Sequence, residues 1–213
     1  MKRLALLVCC IFLAIAPSFA QVSFGVQGNA FNFNTEGVAN DIYGLGLGGG
    51  VHLDFGTPVI GIRVQGDYLF LSPDKDKYSA YAAQLLGAAL SQGASIDGGK
   101  MEVWTANANA KLVLLPLPVV HIYATGGIGM ASISFNEATI NIPALGVSRK
   151  LSEQEVAQLL GLDKQTKMTT NVGAGIDIAL GGLALYGEVK LNWIWTAPHT
   201  SSQIPIGTIG ITF

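Results

Sequence analysis

Two groups of residues could in principle support catalysis or metal binding. His199 lies close to Ser201 and Ser202, and a histidine base beside a serine nucleophile is the arrangement of many hydrolases. No acidic residue lies locally to orient the histidine, so we expect no catalytic residues and no enzyme activity. The histidines His52, His121 and His199 lack the spacing of metal ligands, and we therefore expect no metal site.

A glycine-rich segment, GLGLGG at residues 44–49, formally matches the pattern of a dinucleotide-binding loop. That pattern requires a helix directly after the glycines, whereas this segment continues as an alternating strand-like sequence. We interpret these glycines as positions that relieve crowding inside or between curved strands. The sequence therefore predicts no cofactor.

The charged residues alternate with apolar ones along short segments. From Ile60 to Phe70 the even positions are aliphatic, aromatic or glycine, whereas the odd positions include Arg63, Gln65 and Asp67. A period of two over about ten residues is typical of a tilted, membrane-spanning β-strand. The same pattern predicts seven further strands, at roughly 22–32, 43–55, 102–114, 119–135, 167–179, 183–195 and 204–213.

The composition agrees with strands that face lipid. Half of the 213 residues are hydrophobic, 12% are charged and 27 are glycine. This balance excludes a disordered chain, and so much glycine disfavours a helix-rich enzyme. The formal net charge of −2 provides no basic surface, so we expect no nucleic-acid partner.

The first twenty residues have the three-part layout of a secretory signal peptide. A positive head, Met1–Arg3, precedes an apolar run at residues 4–16 and a small-x-small ending at Ser18–Ala20. The run is too short for a transmembrane helix, which requires about 20 residues. We predict a signal peptide over residues 1–20 and one barrel domain over residues 21–213. Cleavage would remove both cysteines, Cys9 and Cys10, so we expect no disulfide.

Short and long connections alternate between the predicted strands. The second, fourth and sixth links are tight turns near residues 56–58, 116–118 and 181–182. The first, third, fifth and seventh are longer and include residues 72–100 and 136–166. This alternation predicts an all-β fold, an eight-stranded antiparallel up-and-down transmembrane β-barrel with its long loops outside the cell. Helical patterns at Lys77–Leu90 and after the capping box Ser152–Glu155 predict short helices in two outer loops.

Aromatic residues cluster at both ends of the predicted strands, on the apolar face. Two rings of outward aromatics are typical of the interface girdles of a membrane barrel. Near the ends that carry the long loops these residues are Tyr43, Tyr68, Phe70, Trp104, Trp193 and Trp195, and near the opposite ends they are Phe24, Phe55 and Phe213.

With this signal peptide, strand count, loop alternation and the ending IGITF at residues 209–213, the chain resembles the small bacterial outer-membrane β-barrel family, the OmpA/OmpX-like eight-stranded class. Members commonly end in an aromatic residue that the barrel-assembly machinery recognises. The resemblance implies that Phe213 is this assembly signal, and that the partners include the assembly machinery and outer-membrane lipid. A soluble, secreted barrel or sandwich is the alternative fold.

The polar face of the strands would line a lumen that is just wide enough for side chains to fill or to hold one small ligand. Opposite charges in so narrow a space should pair, so we favour a structural plug over an ion path. The predicted function is a non-enzymatic barrel that serves envelope integrity or surface interaction through its outer loops; the alternative is a narrow transporter or ligand-binding barrel for a small or apolar molecule. The predicted lumen network comprises His52, Asp54, Arg63, Asp67, Lys111, Asp177, Glu188 and Lys190.

The predicted orientation can be tested by labelling single cysteines. Cysteines that replace Lys75 and Arg149 should react with a membrane-impermeant thiol reagent on intact cells, because they lie in the long loops. Those at Thr57 and Leu117 should react only after the cells are lysed, because they lie in tight turns that face the periplasm. Labelling of positions 57 and 117 from outside, without labelling of 75 and 149, would reverse the orientation.

Overall fold

A computed structural model describes residues 21–32, 42–86, 95–159, 166–197 and 200–213. The predicted signal peptide, its two cysteines and His199 lie outside these ranges. Most of the described chain is β-strand. The elements are β1 (Gln21–Asn32), β2 (Leu45–Gly56), β3 (Ile60–Leu71), α1 (Lys75–Leu86), β4 (Ser95–Gly98), β5 (Met101–Pro116), β6 (Val120–Phe135), β7 (Ala138–Ile142), a 3₁₀ turn (Pro143–Leu145), β8 (Val147–Leu151), α2 (Glu153–Leu159), β9 (Thr166–Ala179), β10 (Ala184–Ala197) and β11 (Thr200–Thr212).

Eight of these strands form a closed antiparallel barrel, in the order β1-β2-β3-β5-β6-β9-β10-β11. The predicted alternation is visible along every wall strand: in β3, Arg63, Gln65 and Asp67 are buried, whereas Ile62 and Val64 are exposed on the outside. Since lipid-facing and interior-facing side chains alternate in a strand, a period of two suffices to sort polar residues inward. The predicted eight-stranded barrel is confirmed.

The barrel closes where the first strand meets the last. The pairing of β1 with β11 runs from Gly25–Thr212 to Phe31–Ile206. Phe24 and Phe213 exchange both backbone hydrogen bonds, so every second residue of β11 directs its N–H towards β1. Pro205, which lies directly beyond the last pair Phe31–Ile206 in β11, is one of these residues, but proline has no N–H to donate. In the described part of the chain the pairing of β1 with β11, which we call the seam, stops at Phe31–Ile206, one residue before β1 ends at Asn32.

The connections define two ends of the barrel, which we call the short-turn end and the long-loop end. Tight turns join β2 to β3, β5 to β6 and β9 to β10, as predicted. In the first of them the backbone N–H of Thr57 donates to the carbonyl of Ile60. The prediction of a long seventh connection is wrong. Strand β10 reaches Ala197 and β11 begins at Thr200, so residues that were expected in a loop belong to the paired strands.

Inward-facing glycines lie beneath large side chains of the neighbouring strands. A Cβ atom on Gly46 would lie 2.3 Å from the Phe31 ring, and one on Gly48 would lie 2.7 Å from a methyl carbon of Leu69. In a narrow lumen a large side chain can be accommodated where its neighbour has none. These distances confirm the interpretation as relief of crowding for Gly46 and Gly48.

At the long-loop end the chain forms a folded layer rather than simple loops. Helix α1 begins after Asp74, whose carboxylate accepts hydrogen bonds from the N–H groups of Asp76 and Lys77. Helix α2 begins after Ser152 with the predicted capping box: the Ser152 N–H donates to Glu155 and the Glu155 N–H donates back to the Ser152 hydroxyl. No helix in the described ranges is long and apolar enough to cross a membrane.

The Glu155 carboxylate is stabilised in its charged form. The backbone N–H and hydroxyl of Ser152, together with the guanidinium of Arg149, hold the pKa of Glu155 below its ordinary value. All three groups lie outside the barrel wall, in the layer at the long-loop end.

A three-stranded sheet, in the order β4-β7-β8, was not predicted. Strands β7 and β8 form a hairpin around Pro143–Leu145 and Gly146, which adopts a left-handed φ of 63°. These strands have only four or five residues, so their alternation is too brief to distinguish them from loop sequence.

The largest apolar cluster lies inside the long-loop half of the barrel and continues into this layer. We call it the apolar plug. Its residues expose at most 8% of their surface and come from both the wall and the loops. The layer and the lumen therefore share one core. From the wall it contains Phe31, Leu69, Leu71, Met101, Val103, Ala131, Ile133, Phe135, Ile194, Ile204 and Ile206, and from the long-loop layer Ile42, Tyr43, Tyr78, Ile96, Ala138, Leu151, Val156 and Ala157.

Two glycines of β1 provide a matched test of the crowding. A Cβ on Gly25 would lie 2.2 Å from the His52 ring and 2.7 Å from the carbonyl of Ile211, whereas one on Gly28 would meet nothing within 4 Å. We expect Gly25→Ala to lower the free energy of unfolding by about 1–3 kcal/mol. Gly28→Ala should change it by no more than about 0.5 kcal/mol. Urea unfolding in lipid vesicles measures both, and equal effects would contradict the crowding.

Candidate functional site

The eight residues predicted to line the lumen all lie on the inner face of the barrel. They are contributed by five strands, β2, β3, β5, β9 and β10, so their contacts are long-range in the sequence. Asp54 and Lys111 are half-buried near the short-turn end; the remainder are buried: His52, Arg63, Asp67, Asp177, Glu188 and Lys190.

Arg63 lies at the centre of this group and is 1% exposed. Its Nε and Nη2 donate to the two carboxylate oxygens of Asp54, each at 2.7 Å. Its Nη1 lies 3.5 Å from Glu188 Oε2, and its guanidinium lies 4.8 Å from the centre of the Tyr186 ring. A bidentate carboxylate and an aromatic face are the contacts that make a buried guanidinium tolerable.

Two lysines extend the ion pairs in both directions. Lys190 Nζ lies 2.7 Å from Glu188 Oε1 and also donates to Gln65 Oε1. Lys111 Nζ lies 2.7 Å from Asp177 Oδ2 and 3.9 Å from Asp54 Oδ2. The pairs form one continuous series, which we call the charge chain: Asp177, Lys111, Asp54, Arg63, Glu188 and Lys190.

Asp67 and His52 lie in the lumen but are held by neutral groups. Asp67 accepts hydrogen bonds from the amides of Gln27, Asn29 and Gln65 at 2.5, 2.8 and 2.7 Å. His52 Nε2 lies 3.2 Å from the Thr212 hydroxyl, and its Nδ1 lies 3.2 Å from Gln27 Oε1. Their place in the lumen matches the prediction, whereas their hydrogen-bond partners are not the charged groups that were expected.

Within the described residues, water can approach the charge chain from the short-turn end. A cavity of about 330 Å³ opens at the short-turn end and is lined by Asp54, Lys111 and Asp177, together with His121 and Thr212. Towards the other end the lumen is occupied by the apolar plug, whose members have almost no solvent-accessible surface. An ion that entered from the short-turn end would have to leave water and displace packed side chains to continue.

The sequence predicts a lumen plugged by paired charges but not the apolar plug, although a signal for it is present. Near the long-loop end the inward positions change from polar to apolar, as at Leu69 and Leu71 in β3 or Ile204 and Ile206 in β11. At these strand ends buried and exposed residues still alternate, but both kinds are apolar. A strand end at which polar and apolar residues cease to alternate therefore marks the level at which the barrel interior becomes a hydrophobic core.

Most of the predicted girdle aromatics point outward. Tyr68 packs against Trp104 and Phe70, with ring centres 4.6 and 6.1 Å apart. Trp195 is exposed, and its Nε1 donates to the Thr170 hydroxyl. The outward-facing remainder is Phe24, Phe55 and Phe213 at the short-turn end and the half-buried Trp193 at the other.

Tyr43 was assigned to the outer girdle, and this assignment is wrong. Tyr43 is 3% exposed and belongs to the apolar plug, where its hydroxyl donates to the carbonyl of Gly99. The physical reason is that β2 begins at Leu45, so the alternation that would direct residue 43 outward does not extend to it. Its backbone forms an isolated bridge with Pro73 instead.

The described residues hold no group of three or more potential metal ligands. His199 lies outside these residues. Ser201 and Ser202 lie in β11, paired with Trp195 and Ile194.

Taken together, the closed wall, the apolar outer face and the filled interior define a small transmembrane β-barrel. A family model described as outer membrane protein beta-barrel domain matches residues 5–204, and the chain belongs to this family. The protein is therefore located in the outer membrane.

Solved structures resemble the chain at low sequence identity. Neisserial surface protein A matches with a TM-score of 0.51 and 13% identity, over 90% of this chain and 97% of that chain. The attachment invasion locus protein of Yersinia pestis, Ail, matches with a TM-score of 0.47 and 11% identity, over 92% of this chain and 99% of that chain. No curated protein matches the chain.

Removing the central cation should destabilise the barrel. Arg63→Ala would remove the bidentate partner of Asp54, which would keep only Lys111 at 3.9 Å, and would leave Glu188 with Lys190 alone. We therefore expect the free energy of unfolding to fall by about 3–5 kcal/mol. Lys150→Ala is the control, because Lys150 pairs with Glu137 on the exposed surface and should contribute about 0–1 kcal/mol. Urea unfolding in lipid vesicles measures both. A loss below 1 kcal/mol for Arg63→Ala would show that water reaches the pair freely.

Proposed function

We propose that this protein is a non-enzymatic, non-conducting barrel that serves envelope integrity or surface interaction through the layer at its long-loop end. The observation that carries the proposal is the apolar plug. Because it is continuous with the core of the folded layer, opening a pore would require that layer to unfold or move away. A barrel built as a water-filled conduit for ions would instead have polar side chains along its whole length.

The folded layer is the part best suited to meet a partner. The β7–β8 hairpin exposes Leu145 and Val147, at 48% and 44%, while Arg149 and Lys150 project from β8. The β4-β7-β8 sheet is anchored to the barrel through buried residues such as Ile96 and Leu151. Because this layer is anchored, its exposed apolar and charged side chains can bind a partner without the entropy cost of ordering a mobile loop.

Lipid and the assembly machinery complete the proposed set of partners. The outward residues between the aromatic rings, such as Val64, Val189 and Ile209, are aliphatic and exposed, as contact with acyl chains requires. Phe213 is exposed at the end of β11, so an assembly factor could reach its ring. We propose that Phe213 serves as the assembly signal.

A narrow transporter is the second candidate, and the cavity at the short-turn end favours it. That cavity reaches Asp54, Lys111 and Asp177, so a small polar molecule could enter from that side. Transport would then require a conformational change of the plug.

Single-channel recording separates the two candidates. We expect the purified wild-type barrel in a planar lipid bilayer to give no steady current, because the apolar plug excludes hydrated ions. Phe135→Ala combined with Leu71→Ala should introduce openings, since it removes two large side chains from the plug. Ile128→Ala is the control, because Ile128 faces lipid. Large, steady currents from the wild-type protein would exclude the non-conducting barrel and support the transporter.

A further inference from the structure

One wall of the lumen contains a group of buried polar side chains with unsatisfied hydrogen-bonding atoms. Within the described part of the chain, no group bonds to Oδ1 of Asn109, Oγ1 of Thr125, either side-chain polar atom of Asn171 or Oδ1 of Asn192. All four residues are at least 94% buried. Buried polar atoms in folded proteins nearly always have a partner, so a group of this size indicates a ligand.

The strand register brings these atoms to one place. Asn109 in β5 is opposite Gly127 in β6, Gly127 is opposite Asn171 in β9, and Asn171 is opposite Asn192 in β10. The Asn109 Oδ1 lies over Gly127, only 2.2 Å from where a Cβ would be, and so leans towards Asn171.

Thr125 completes the group from the next inward row. Its Oγ1 lies over Gly173 of β9, 3.0 Å from where a Cβ would be. The space that side chains on Gly127 and Gly173 would take is thus used by the polar atoms of Asn109 and Thr125, and no side chain separates the polar groups at these two points. We call Asn109, Thr125, Asn171 and Asn192 the polar wall.

The opposite wall shows what a satisfied lumen residue looks like. Asn29 in β1 is buried to the same degree as Asn171, yet its Nδ2 donates to Asp67 at 2.8 Å and its Oδ1 accepts from the Thr208 hydroxyl at 2.8 Å. The difference between Asn29 and Asn171 is therefore one of partners and not of burial.

We propose that the polar wall is a binding site for ordered water molecules inside the barrel. Water matches the hydrogen-bonding chemistry of the group, which offers both acceptors, the amide oxygens, and a donor, the Asn171 Nδ2, because a water molecule can donate and accept at once. A buried water usually makes about three hydrogen bonds, which this group can supply. A metal cation fits less well, because it leaves the Asn171 Nδ2 unsatisfied and would lie close to the ammonium of Lys190, which is opposite Gly173.

The site is separate from the cavity at the short-turn end. The residues that line that cavity include none of the polar wall. The bound water is thus a structural component of the lumen between the charge chain and the apolar plug, and its presence is independent of whether the barrel conducts.

Nuclear magnetic resonance of the labelled, refolded wild-type barrel in detergent micelles tests the site directly. We expect dipolar cross-peaks between long-lived water and the side-chain amide of Asn171, and none at the side-chain amide of Asn29. Absence of water cross-peaks at Asn171 would overturn the proposal. A shift of the Asn171 signals on exchanging sodium for potassium chloride would also overturn it, in favour of a cation.

A variant provides the second measurement. Asn171→Leu should abolish the water cross-peaks at Asn109 and Asn192, because their shared water would lose its central partner, while the signals of Asn29 remain unchanged. Persistence of the water cross-peaks at Asn109 and Asn192 in a folded Asn171→Leu barrel would contradict a shared site. If this variant does not fold, the isosteric change Thr125→Val replaces it. We expect Thr125→Val to remove the water cross-peaks at Asn171, and their full retention would contradict the site.

Discussion

The width of an eight-stranded cylinder is the constraint on which the rest of this molecule depends. Strands about 4.8 Å apart leave an interior that side chains from opposite walls must share. Large groups therefore lie over glycines, as His52 does over Gly25 and Tyr186 over Gly210. The abundance of glycine, which weakens most strands, is here the condition for packing the interior at all.

The same constraint explains why the lumen is divided along its length. Charges confined to a narrow space must pair, and the charge chain achieves this by alternating acids and bases from β2, β3, β5, β9 and β10. Apolar side chains confined to the same space need only pack, and towards the long-loop end they do so together with the loop layer. The half with access to water is the half that contains ions, because water at the short-turn end lowers the cost of burying them.

Sequence alone predicts what depends on local periodicity. The inward positions of Arg63 and Lys111 follow from alternation, and the start of α2 follows from the capping box at Ser152 and Glu155. Tyr43 was misplaced because the alternation was extended two residues beyond the true start of β2.

Partners across the lumen could not be predicted in the same way. The pairing of Lys111 with Asp177 joins residues 66 positions apart in the sequence, and it depends on the register of three neighbouring strands, β5, β6 and β9. Register is set by turn geometry and by the combined packing of all the walls, so no single segment contains that information. The same holds for Asp67, whose neutral partners come from three strands.

The shortness of the seam between β1 and β11 has a mechanical consequence. Strand β1 is bonded to β2 along its whole length, from Gln21–Gly56 to Asn32–Leu45, but to β11 only as far as Phe31–Ile206. Among the described wall pairings the seam is the shortest and thus the line of least resistance, which runs from Phe31 and Ile206 down to Phe24 and Phe213. A load that splays the wall would part the first strand from the last and leave a curved sheet whose other seven strand pairings remain intact.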